Sequence, residues 1–75
     1  MIKAHETKIN YKDGNTITAY ITDWDARNFI RVVDEETEIK ASYENEREIN
    51  LDEIESIFCN HCNKIIWTEE QGYIS

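Results

Sequence analysis

Residues 11 to 33, "YKDGNTITAYITDWDARNFIRVV", decide the architecture. Asp13-Gly14 is the dipeptide that supplies the positive φ angles of a tight hairpin turn, and the segments on either side of it alternate as strands do. Before the turn, Thr7, Ile9 and Tyr11 fall on one face and Lys8, Asn10 and Lys12 on the other. After it, Ile17, Ala19 and Ile21 face inward while Thr16, Thr18, Tyr20 and Thr22 face outward, residue types that suit a β surface and serve a helix poorly. At Trp24 the alternation slips by one residue, because Ile21 and Trp24 are three apart yet both belong inside. Such a slip implies a bulge that bends the strand, and a small barrel needs a bend of this kind to close.

Working outward, "RNFIRVV" (27–33) reads as a third strand and "ETEIKASY" (36–43) as a fourth, joined by the acidic turn Asp34-Glu35. "REINL" returns as another strand after the turn signal Glu44-Asn45-Glu46. In "LDEIESIF", Leu51, Ile54 and Ile57 recur every third residue. That spacing predicts a single 3₁₀ turn at 52–54 leading into a short strand from Glu55 to Cys59. Residues 59–75 form a C-terminal extension: a tight turn, the apolar run Ile65-Ile66-Trp67, and a hairpin through Glu69 to Gly72. The expectation is one domain over 1–75, mainly β, a strongly bent antiparallel barrel of five to six strands. Its expected core is Ile17, Ala19, Ile21, Trp24, Val32, Leu51, Ile54 and Ile57.

"KDGNTITAYITDWDARNFIRVV" resembles the first motif of Sm-like proteins of the Hfq type, and of the wider group of small SH3-like barrels that includes the YolD-like proteins. A turn Gly matches Gly14, apolar strand residues match Ile17 and Ile21, a small residue matches Ala19, and an aromatic-Asp pair matches Trp24 and Asp25. "INLDEIESIF" resembles the segment that leads into the closing strand of the SH3-like group. The resemblance implies an SH3-like or Sm-like barrel. It does not carry RNA binding with it, since the Arg-Gly and Lys-His second motifs that build the RNA pore are absent and "YENERE" marks an insertion.

Charge bounds the partners. Sixteen acidic and eight basic residues give a formal net charge of −8, which repels phosphate backbones and anionic membranes at long range. The excess is confined to one half: five Lys/Arg stand against four Asp/Glu in residues 1–33, and three against twelve in 34–75. Glu35, Glu36, Glu38, Glu44, Glu46 and Glu48 are therefore the candidate docking surface for a protein partner with a basic surface, since complementary charge accelerates encounter. The leading expectation is a non-enzymatic regulatory module acting by protein contact, such as a phage or mobile-element inhibitor of a nucleic-acid-handling or defence protein. A second is an Sm-like RNA- or nucleotide-binding oligomer that uses Tyr20, Arg27 and Arg31.

A third is a zinc-linked structural or assembly module. Cys59 and Cys62 in "FCNHCNK" have the C-x-x-C spacing that lets two thiolates face one tetrahedral ion. The remaining ligands would come from His5, His61 or a second subunit, and the bland alternative is a pair of structural thiols. No Ser-His-Asp set, phosphate-cradling Gly-rich loop or H-E-x-x-H helix occurs, which argues against an enzyme. Lys3, His5 and Glu6 interrupt the N-terminal apolar run that an export signal needs, so a cytoplasmic location is expected. Edge strands in so small a barrel need cover, which predicts a homo-oligomer.

Overall fold

The turn at Gly14 joins β1 (Glu6–Tyr11) to β2 (Thr16–Asp25), paired antiparallel with Thr7 opposite Ala19 and Ile9 opposite Ile17. The connection is a little longer than a two-residue hairpin: the Tyr11 N–H donates to the Asn15 carbonyl at 2.8 Å, and Gly14 takes a φ of 96° that a side chain would resist. The structure, a computed structural model, describes residues 3–25, 27–40 and 43–74.

Five further strands follow, β3 (Phe29–Val33), β4 (Arg47–Asn50), β5 (Ile54–Cys59), β6 (Lys64–Thr68) and β7 (Gly72–Tyr73), with a 3₁₀ turn at Leu51–Glu53 between β4 and β5. All pairings are antiparallel, in one sheet ordered β4-β3-β2-β1-β5-β6-β7. The fold is thus mainly β and strongly bent, with one 3₁₀ turn, as the sequence predicts. It is a curled half-barrel, because β4 and β7 end the order as separate edges. Seven strands stand where five to six were expected, since the C-terminal extension contributes both β6 and β7.

Three register shifts curl the sheet: at Asn10/Tyr11, between Ile21 and Asp23, and at Ile57/Phe58. The second is the slip read from the sequence. Thr22 is the extra residue, and beyond it Trp24 lies opposite Ile30 on the inner face. Asp25 then holds the turn into β3: its carboxylate accepts from the Arg27 N–H at 3.0 Å and from the Asn28 amide at 3.2 Å. These bonds hold its carboxyl below the usual carboxylate range. The Trp-Asp pair thus follows a bulge at Thr22, and its Asp caps the next turn.

Ile9, Ala19, Ile30, Val32, Ile49, Leu51, Ile54, Ile57 and Trp67 form the buried core. Of the expected core, Ile17, Ile21 and Trp24 pack against it only partly buried. One expected strand does not form. Residues 36–40 are loop, tied to the segment before β1 by an isolated bridge between Lys3 and Glu38 and by the Ala4 N–H donating to the Thr37 carbonyl at 3.0 Å, while 41 and 42 lie outside the described residues. The alternation there is formally strand-like, but Ile39 is exposed and Glu36 is drawn to Lys3 at 2.7 Å. An apolar residue with no face to cover gives the segment no reason to join the sheet.

Candidate metal centre

Three side chains from distant parts of the chain converge at one end of the half-barrel. His5 immediately precedes β1, Cys59 ends β5, and Cys62 lies in the turn between β5 and β6. Pairing of β1 with β5 sets Thr7 opposite Cys59 and brings His5 alongside the turn. His5 Nδ1 is 3.8 Å from the Cys59 Sγ and 4.0 Å from the Cys62 Sγ, and the three ligand atoms all lie within 4.8 Å of one another.

The two nitrogen–sulfur separations are close to those around a tetrahedral ion. With Zn–S near 2.3 Å and Zn–N near 2.05 Å, a tetrahedral angle sets sulfur and nitrogen about 3.6 Å apart. Both sulfurs already stand within about half an ångström of that. The chemistry of the set, two thiols and an imidazole, favours zinc among the common divalent ions.

The turn that carries the cysteines is built for this approach. The Cys62 N–H donates to the Cys59 Sγ at 3.1 Å, and the Asn63 N–H donates to the Cys59 carbonyl at 2.7 Å. Asn63 has a φ of 58°, alone among the described non-glycine residues in being positive, and Asn is one of the residues that tolerates it. The Cys62 thiol is pushed up, first by hydrogen bonding with the Cys59 side chain and then by desolvation, with the positive charge of Lys64 pulling the other way.

Neighbouring residues fix the parts. The His61 ring stacks on that of His5, centroids 4.3 Å apart, so of the two histidines His5 points its nitrogen at the sulfurs and His61 packs against it. Glu6 ties the turn to the sheet, accepting from the Asn60 amide at 3.0 Å with one oxygen and from the Tyr20 hydroxyl at 3.1 Å with the other. Sequence reasoning counted the Lys that follows the C-x-x-C, Lys64, but gave Glu6 and Asn63 no part in the site. For Asn63 a signal existed: the residue after C-x-x-C is where the chain must reverse.

The other candidate residues are more dispersed. Glu35, Glu36, Glu38 and Glu44 are exposed on the loop between β3 and β4, and Asp34, Glu35, Glu36 and Glu44 line one polar hollow there. Glu46 and Glu48 instead face Arg31, at 3.9 and 3.8 Å, and Glu46 also accepts from the Thr22 hydroxyl at 2.6 Å. Tyr20 and Arg31 share the outer face of the sheet, while Arg27 sits in the β2–β3 turn at its end. Tyr20 is engaged by Glu6, and Arg31 is ringed by Asp23 as well as the two glutamates.

Compared with known protein families, with curated proteins and with solved structures, the chain matches none.

Proposed function

We propose that this chain is a non-enzymatic binding module whose half-barrel is tied at one end by a zinc ion held by His5, Cys59 and Cys62. The observation that carries it is the preformed ligand geometry, with both sulfurs 3.8–4.0 Å from one imidazole nitrogen. The ion would staple the residue before β1 to the β5–β6 turn, a link between positions 54 and 57 residues apart. A small chain gains from such a staple because its core alone yields only a modest stability. Three protein ligands leave the fourth tetrahedral position for a water or an incoming group.

The test is native mass spectrometry of the untagged chain after zinc addition and desalting. One zinc per chain, lost in both Cys62→Ser and His5→Ala, is the expected result. A parent chain that retains no zinc overturns the reading.

Contact through the acidic half is a second reading, favoured by one observation: Glu35, Glu38 and Glu44 are exposed and make no ion pair among the described residues. The charges of Glu36, Glu46 and Glu48 are already answered within the chain.

A further inference from the structure

Beside the metal-ligand cluster lies a groove of about 740 Å³, with His5, Cys59 and Cys62 among its lining residues. The volume falls within the roughly 300–1,000 Å³ typical of small-molecule sites. Its walls are apolar: Ile21 and Trp24 from β2, Ile66 from β6, and Tyr73, which meets Trp24 edge-on at 5.7 Å. Ile39 and Tyr73, two of the three large apolar side chains most exposed in the described chain, stand along it.

The charge of the groove is the reverse of the chain's. Sixteen of the 75 residues are acidic, yet among the described residues no Asp or Glu lines the groove, whereas Lys3 and Lys64 do. Lys3 is answered by Glu36 at 2.7 Å. Lys64 has no ion pair among the described residues, and it lines the groove together with Cys62. Unanswered positive charge beside an apolar wall fits a ligand with an apolar body and a single anionic head. An ion with an open position at the same place takes an oxygen anion as readily as water.

We infer that the groove binds a small monocarboxylate with an aliphatic body, its carboxylate between Lys64 and the open position of the zinc and its chain against Trp24, Ile21 and Ile66. The head-group half of this inference rests on the zinc reading above; the apolar half stands on the groove itself. Neutral molecules of the same length should bind less well, because burying a hydroxyl gains neither the lysine nor the ion.

The probes are sodium octanoate and octan-1-ol, titrated into the zinc-loaded, ¹⁵N-labelled chain while the two indole N–H signals are followed. Trp67 lies in the core and serves as the internal control. Octanoate is expected to move the Trp24 signal and leave Trp67 still, with affinity about tenfold above that of octanol. Lys64→Gln should remove most of that advantage and Lys64→Arg should restore it. Octanol binding as tightly as octanoate, a Trp24 signal unmoved by millimolar octanoate, or an unaltered affinity in Lys64→Gln each overturns the inference. Zinc content is read by native mass spectrometry on the same samples. A chain without zinc that still binds octanoate through Lys64 sinks the metal reading and leaves the groove as a carboxylate site, whereas a zinc-loaded chain that ignores octanoate does the opposite.

Discussion

The backbone N–H of Cys62 points at the sulfur of Cys59 across 3.1 Å, so the two cysteines of the turn are not equivalent. Cys59 is buried and receives that bond, while Cys62 is exposed and supplies it from its backbone. Cys62→Ser should therefore shift the urea midpoint of the metal-free chain far less than Cys59→Ser and remove mainly the gain from zinc. Cys59→Ser should cost about 1–3 kcal/mol even without metal, because it sets a hydroxyl in an apolar site. Denaturation of both variants with and without a chelator separates the two effects, and equal losses in the metal-free chain would contradict the assignment.

Zinc competes with protons for the thiols, so its affinity should rise with pH across the neutral range by up to about tenfold per pH unit for each proton displaced. A chromophoric chelator competition measures this, and a flat profile would exclude thiolate ligation. Stability of the metal-free chain runs the other way. The Cys62 pKa is raised in the fold, so the folded state holds that proton more tightly than the unfolded one. The resulting stabilisation is present below the unfolded thiol pKa and fades as pH rises through the folded value. Alkaline pH should weaken the metal-free fold while strengthening the zinc-bound one.

Ile57 and Leu51, at 0% and 4% exposure, lie in the core. Truncating either to Ala should cost about 2–5 kcal/mol by urea denaturation. Ile17→Ala should cost less, since Ile17 is only partly buried and packs at the margin of the same cluster.

For the acidic surface, the informative change is Glu35, Glu38 and Glu44 together to Gln, since these make no ion pair among the described residues. Glu46 is a poor choice because it also holds Thr22. On a polylysine surface, this triple variant should associate more slowly than one changed at Glu53, Glu69 and Glu70, three exposed carboxylates elsewhere. Equal rates for the two would mean that total charge, not a docking face, governs the encounter.

The hairpin at Gly14, the slip near Trp24 and the 3₁₀ turn that begins at Leu51 were legible because each is a local demand on residue type. The strand expected at 36–43 was misread because alternation alone does not say whether a face exists for Ile39 to cover. The C-x-x-C pair was visible as half a site, and His5 and His61 were both open as its complement. Only the pairing of β1 with β5 decides between them, by carrying His5 to the turn across more than fifty residues of sequence. The groove left no local trace, since its walls come from β2, β6 and β7 and its distinguishing feature is a kind of residue that none of them brings to it.

The extra residue at Thr22 acts as a reading-frame marker for the sheet. Everything before it on β2 is sorted into inside and outside by one parity and everything after it by the other, and β3 is aligned to both. Removing that one residue would leave composition, net charge and hydrophobic content almost untouched. It would also set Ile21 and Trp24 two apart, both inward on a straight strand, and so abolish the bend; with Thr22 kept and no bulge, Asp23 would turn inward and the indole would face water. The curl of this molecule is therefore stored in the count of residues between two of its apolar side chains as much as in their identity.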